Sequence, residues 1–278
     1  MDNYLEIVNA HYPRGQFRFA VFDFDGTLSL IREGWQKIMK GYFFEELSKA
    51  PGAKDASEAE LRGRIDEFVD MLTGKQTIYQ CLELVEEIKA RGGTPLDAQE
   101  YKDEYQRRLL VEIDGRLKGL EKGAIDPEEY LVPGSIAFLE ALRERDVQIF
   151  IASGTDEVYA AHEAELLGVT KYLAAKVYGA QRDYKTFSKK MIIERIMREN
   201  SLHGPELMGF GDGFVEIENV KEHEGCAVGL ATDEKNRGGN IDAWKRERLI
   251  RAGADAIVPD FSETGRLIAW LFPDPKSL

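Results

Sequence analysis

Cysteine is nearly absent from this chain. Cys81 and Cys226 are the only two in 278 residues, and neither has a Cys or His at ligand spacing, which argues against a zinc site. Two lone thiols fit a reducing compartment. Basic charge is also in short supply: 37 Lys and Arg stand against 50 Asp and Glu, a net charge of −13. That balance argues against a nucleic-acid or anionic-membrane partner, while leaving a local cationic pocket possible. No apolar run approaches membrane-spanning length. The opening Met1-Asp2-Asn3-Tyr4-Leu5-Glu6 lacks the basic start and apolar core of a signal peptide, so a cytoplasmic location is expected. What remains, 43% hydrophobic and 31% charged residues, is the composition of a soluble globular protein with one large domain or two ordinary ones.

Within that composition one stretch carries the most information. The apolar run Phe17-Arg18-Phe19-Ala20-Val21-Phe22 closes in Asp23-Phe24-Asp25-Gly26-Thr27-Leu28. A short run of β-formers ended by a Gly turn reads as a buried strand. Side chains two apart on an extended chain point the same way, so Asp23 and Asp25 can face one point. Two like charges about 4 Å apart repel by roughly 4 kcal/mol at an effective dielectric near 20. A proton, a cationic side chain or a metal must compensate. Taken alone, the same residues read equally well as an Asp-Gly turn after a strand.

The second half of the chain alternates strand and helix signals. Pro133-Gly134-Ser135 opens a helix with Ile136, Leu139 and Leu142 on one face. Val147–Ala152 reads as a strand followed by a helix from Thr155 to about Leu167. Ala174–Tyr178 is a weaker strand, and Ser188 caps a helix striped by Ile192, Ile193, Ile196 and Met197. Strands are expected at Leu207–Phe210, Cys226–Leu230 and Ala256–Val258, with helices near Ile241–Arg251 and Glu263–Leu271. Alternation of this kind implies a parallel sheet with helices on both faces, and its βα loops gather at one edge, where such folds bind ligands. Residues 30–132 break the pattern and read as helices at Trp35–Leu47, Glu58–Leu72, Ile78–Ala90 and Ala98–Leu120. A segment this long is an inserted helical domain, not a loop. The expected division is therefore an α/β core of residues 1–29 and 133–278 with a helical cap of residues 30–132.

Further chemistry falls at the same sheet edge. Ser153-Gly154-Thr155 follows a strand, where a hydroxyl and free backbone N–H groups form an anion site. The plainer reading makes Ser153 or Thr155 a helix cap. Lys189 and Lys190 begin a helix, against its dipole, which suggests that one has a reason to be there. Gly211-Asp212-Gly213-Phe214-Val215-Glu216 places a second acid, Glu216, one helical turn beyond Asp212 on the same side.

These residues and their order resemble the haloacid dehalogenase-like (HAD) superfamily. Asp23-Phe24-Asp25-Gly26-Thr27 corresponds to motif I, Ser153 to motif II, Lys189 to motif III, and Asp212 with Glu216 to motif IV. The resemblance spans the α/β core, and the helical insert looks like the family's C1 cap, as in phosphoglycolate phosphatases and β-phosphoglucomutases. Motif IV here ends in Glu where Asp is commoner.

The resemblance implies a Rossmann-like core with a central parallel sheet flanked by helices, plus a helical cap. It implies that Asp23 is the nucleophile and forms an aspartyl-phosphate, with Asp25 as acid and then base. Ser153, Gly154 and Lys189 would hold the phosphoryl oxygens. Mg²⁺ would lie between Asp23, the backbone carbonyl of Asp25, and Asp212, with Glu216 as a further metal ligand, directly or through water. Charge reaches a cation independently, because four acids and a phosphate dianion exceed one lysine. Dehalogenases of the superfamily lack the second Asp, so Asp25 favours phosphate esters. Arg32, Trp35, Lys75 and Arg237 are candidates for substrate contact, each with a plain structural alternative. The helix segment Lys245-Arg246-Glu247-Arg248 reads as a solvated face. The expected function is Mg²⁺-dependent hydrolysis of a small soluble phosphate monoester. A β-phosphoglucomutase-like phosphomutase and a non-catalytic regulatory or binding module are the alternatives.

Overall fold

The computed structural model describes residues 4–273. Its centre is the run Phe19–Phe22, β2, whose four side chains are all buried. Burial on both faces is what a strand covered by helices on either side requires. The first strand, β1 (Glu6–Ile7), is a two-residue edge with no signal in the sequence. After β2 come four helices, α1 (Trp35–Leu47), α2 (Glu58–Met71), α3 (Thr77–Ala90) and α4 (Ala98–Glu121). Then the alternation begins. It runs through α5 (Ser135–Arg143), β3 (Gln148–Asp156), α6 (Glu157–Leu166), β4 (Tyr178–Ala180), α7 (Lys189–Asn200), β5 (Leu207–Gly211) and α8 (Phe214–Glu222). It ends in β6 (Cys226–Leu230), α9 (Ala243–Arg251), β7 (Ala256–Val258) and α10 (Thr264–Leu271).

The strands form one sheet in the order β1-β7-β6-β5-β2-β3-β4. Every pairing is parallel except β1 with β7. The chain leaves β2 for β3 on one side and returns to β5 on the other. The strand order therefore reverses at β2, which places the end of β2 at a topological switch point. Beneath it, Phe22 stacks on Phe210 with ring centroids 4.5 Å apart, and Phe138 stacks on Phe261 at 4.7 Å. This buried aromatic layer anchors the strand ends that carry the site.

The chain divides into two compact units, Met1–Glu33 with Leu117–Leu278, and Gly34–Arg116. The expected junctions were residues 30 and 132. Leu30, Ile31 and Arg32 stay with the sheet unit because all three are buried there. The backbone holds them as well: Leu30 N donates to the Tyr130 carbonyl at 2.8 Å, and Val132 N donates to Leu28 O at 2.9 Å. The second unit packs α1, α2 and α3 together, with Phe43 on Phe68 at 5.9 Å and Tyr42 beside Tyr101 at 6.3 Å. Its helix ends follow local chemistry. Ser57 and Glu60 form a reciprocal capping box at the start of α2.

Three expectations about elements are corrected. The strand expected at Ala174–Tyr178 lies at Tyr178–Ala180, because Gly179 can approach the Glu157 and Thr155 backbone where a Cβ would sit 2.4 Å from Glu157 Cα. The helix expected from Thr155 begins only at Glu157, since β3 stays extended through Asp156. The helix expected from Ile241 begins at Ala243, where the Asp242 side chain caps it by accepting from Lys245 N at 2.8 Å.

Candidate active site

Asp23 continues β2, and its N–H donates to Phe210 O at 2.8 Å. Its carboxylate is buried at 6% exposure. Lys189, the first residue of α7, lies with Nζ 2.8 Å from Asp23 Oδ1 and pairs on its other side with Glu216 Oε1. Ser188 caps α7 by accepting from Met191 N, which sets the helix start that aims Lys189 inward. Lys190 turns away and pairs with Glu222 at 2.7 Å on the surface. Glu216 is buried and stands on α8 against Gly211, where a Cβ would meet the Glu216 Cβ at 2.6 Å. Gly211 thus permits the close approach of α8 to β5. Glu216 Oε2 is buried without a hydrogen-bond partner.

Asp25 is held from a different strand. Its Oδ2 accepts from Thr155 Oγ1 at 2.8 Å and from Ser153 Oγ at 3.2 Å, and Ser153 Oγ also accepts from Thr155 N. The extension of β3 through Asp156 is what brings both hydroxyls to Asp25. Gly154 lies between them in the same strand. Asp25 Oδ1 is buried without a hydrogen-bond partner. Gly26 follows with φ +76°, in the left-handed region that glycine adopts without strain. A Cβ at Gly26 would lie 2.7 Å from Asp212 Cγ, so the Asp212 carboxylate rests against the turn. Thr27 Oγ1 fixes it there by accepting from Asp212 N at 3.1 Å.

Asp212 Oδ2 is paired with Lys245 Nζ at 2.8 Å, and the same ammonium meets Glu234 Oε1 at 2.6 Å. The solvated face expected at Lys245-Arg246-Glu247-Arg248 is corrected at Lys245, while Glu247 stays exposed. The Lys245 side chain is only 12% exposed, because α9 starts beside the site and its first turn leans over Asp212. Glu234 comes from the loop after β6. Neither residue had a motif to reveal it. The available signal was position alone, since the loop after β6 and the start of α9 lie at the sheet edge that bears the other acids.

The electrostatics follow from crowding. Burial pushes the Asp23 carboxyl up to about 6, against the pull of Lys189, and Asp212 and Asp25 add to the rise. Burial likewise raises Glu234, opposed by Lys245. Burial works to lower Lys245, but Asp212 and Glu234 outweigh it and raise it.

The substrate candidates are placed as follows. Arg32 is 5% exposed, and its Nε and Nη2 donate to Glu163. Trp35 opens α1, half-buried, and Lys75 is exposed with Nζ 5.9 Å from the Tyr79 ring, both in the second unit. Arg237 is exposed, donates to Glu129 O and lies 5.5 Å from the Tyr130 ring. Among the described residues, no three His, Cys, Asp or Glu side chains are grouped to hold a metal. The set implied by the resemblance is Asp23, Asp212 and the Asp25 backbone carbonyl, with Glu216 as a further ligand; Glu216 Oε1 is taken by Lys189, and its Oε2 has no hydrogen-bond partner. The close packing of Asp212 on Gly26 and the mutual repulsion of Asp23 with Asp212 and Asp25 fit such a set of hard oxygens.

With this geometry in hand, residues 17–223 match the family model described as haloacid dehalogenase-like hydrolase. The chain belongs to that family. The folds of several solved structures are similar. A predicted phosphatase from Clostridium acetobutylicum aligns at a TM-score of 0.59 and 19% identity, covering 91% of this chain and 99% of that one. A predicted phosphoglycolate phosphatase from Haemophilus somnus 129PT aligns at 0.58 and 16%, covering 91% and 98%. A β-phosphoglucomutase from Clostridium difficile aligns at 0.54 and 13%, covering 89% and 92%. At these identities the likeness is one of fold. No curated protein matches the chain. Among the described residues, no helix is long and apolar enough to cross a membrane.

Proposed function

We propose that the protein hydrolyses a small-molecule phosphate monoester by way of a phosphorylated Asp23. One observation carries this reading. A buried carboxylate at the switch point of the sheet meets a lysine at 2.8 Å, and two residues on a second carboxylate is clamped by two hydroxyls from the neighbouring strand. Asp23 is a nucleophile by position, and splitting the reaction at a covalent intermediate lowers each barrier. A new Asp23–phosphorus bond forms as the bond to the leaving oxygen breaks, and Asp25 gives that oxygen its proton. Asp25 then takes a proton from the water that attacks phosphorus, which releases inorganic phosphate and restores Asp23.

Lys189 and the Ser153 hydroxyl, with the N–H groups around Gly154, would receive the phosphoryl oxygens, since this reaction depends on positioning and charge more than on covalent chemistry. Asp23, the Asp25 carbonyl and Asp212 would hold Mg²⁺. When bound, the ion neutralises charge on the phosphoryl group. Glu216 holds Lys189 between itself and Asp23.

The test is phosphate release from a panel of phosphate esters with Mg²⁺, run beside Asp23→Asn. Release is expected from wild type, and a loss of activity of several orders of magnitude from the variant and on chelation. Equal turnover by Asp23→Asn would overturn the reading. Dependence of all turnover on an added sugar bisphosphate would point instead to a phosphomutase.

A further inference from the structure

Outside the motifs, Arg32 and Glu163 form a deeply buried ion pair in the sheet unit, at 5% and 1% exposure. The pair is a fork. Arg32 Nε donates at 3.1 Å to both Oε1 and Oε2 of Glu163, and Nη2 donates to Oε1 at 2.7 Å. Tyr159, one turn earlier on α6, lies with its ring 5.7 Å from the guanidinium. So the group is fixed in plane and in direction, as a bidentate guanidinium is and an ammonium is not. What it faces is Asp25. Arg32 Nε stands 3.8 Å from Asp25 Oδ1, beyond hydrogen-bond reach, and Oδ1 is the oxygen that no other group engages. Oδ2 is taken by Ser153 and Thr155.

Resting on the hydrolase reading, we infer that Arg32 and Glu163 are a positioning pair for Asp25, which sets the direction of Oδ1 for the leaving-group oxygen and leaves it without a competing hydrogen bond, so that it can carry the proton. Glu163 takes the Nε and Nη2 hydrogen bonds, so the Nε edge of Arg32 packs beside Oδ1 without hydrogen-bonding it.

A positioning role for the acid has a signature that a structural role lacks. Proton donation matters for a poor leaving group and hardly at all for p-nitrophenolate, which departs without a proton. The measurement is therefore kcat/KM, which reports the steps through departure of the leaving group, for n-butyl phosphate and for p-nitrophenyl phosphate. It is made on wild type, Glu163→Gln, Arg32→Lys and the double variant Arg32→Gln/Glu163→Gln, each confirmed as folded by circular dichroism. The variants are expected to lose roughly 100-fold on the butyl ester, the scale of a misplaced catalytic group, and to keep nearly full kcat/KM on the nitrophenyl ester. The double variant, which leaves no unpaired charge, is expected to regain stability but not the butyl activity. If Glu163→Gln does not fold, Arg32→Lys decides, since it keeps the charge and loses the fork. Equal losses on both esters, or a butyl-to-nitrophenyl ratio as in wild type, would overturn the inference alone. A wild-type protein that turned over neither ester would overturn the hydrolase reading and this inference with it.

Discussion

Removing the Lys245 ammonium would leave Asp212 and Glu234 facing each other with no cation between them. Lys245 meets both carboxylates at 2.8 Å and 2.6 Å in a nearly enclosed position. Breaking a buried pair from one side costs about 3–5 kcal/mol, because the stranded charge has lost both water and partner. Lys245→Met is therefore expected to unfold at a markedly lower urea concentration than wild type. A divalent ion at Asp212 would supply the missing charge, so Mg²⁺ is expected to restore part of the loss and to stabilise the variant more than the wild type. Urea titrations of both proteins with and without MgCl₂ check this. An equal effect of Mg²⁺ on the two proteins would place the ion away from Asp212. At the same scale, Thr155 and Ser153 act on Asp25 through hydroxyls 2.8 Å and 3.2 Å away. Thr155→Val is expected to slow turnover of esters with poor leaving groups while the fold stays intact by circular dichroism.

At the scale of the element, the second unit ties α2 to α3 through Arg64. Its guanidinium meets Glu87 at 2.8 Å and Glu83 at 3.1 Å, and Arg91 binds Glu87 from the next turn. Burial works to raise the Glu87 carboxyl, but hydrogen bonds from Arg64 and Arg91 outweigh it and hold it below its ordinary value of 4.5. A folded-state value below the unfolded one means stability that is present in full above about pH 4.5 and lost as the pH falls through the lowered value. Glu87→Gln is therefore expected to be less stable than wild type at neutral pH, with the gap closing in acid. A gap that stays constant down to about pH 3 would contradict the sign of the shift.

The helices of this unit were legible in the sequence nearly residue by residue, because apolar positions at helical spacing are separated by the Gly and Pro breaks at Pro51-Gly52, Thr73-Gly74 and Gly92-Gly93. The strands β2, β5 and β6 were legible as short apolar runs. What was hidden depended on distant partners. β1 is two residues paired only with β7. β3 stays extended past Ala152 because its hydroxyls meet Asp25, 128 and 130 residues away in sequence. Lys245 reads as part of a solvated face until tertiary packing buries it, and Glu163 carries no signal in the sequence at all.

For the whole molecule, excess acid is the organising constraint. The chain carries a net charge of −13. At the sheet edge the five acids Asp23, Asp25, Asp212, Glu216 and Glu234 outnumber the two lysines paired among them, Lys189 and Lys245, while Arg32 is already matched by Glu163. The three groups proposed to hold Mg²⁺ all belong to one compact unit, since Asp23, Asp25 and Asp212 lie outside residues 34–116. Ion binding stabilises the segments that must be ordered to form the site, and their amides exchange with solvent more slowly. Mg²⁺ alone, without substrate, is therefore expected to slow hydrogen exchange at residues 23–29 and 211–216, the two turns joined by the Thr27–Asp212 hydrogen bond. Exchange in α1, α2 and α3 is expected to stay unchanged. Asp212→Asn should abolish the protection in both turns together, because each supplies part of one oxygen set. Protection confined to one turn, or appearing first in the helical unit, would place the ion elsewhere.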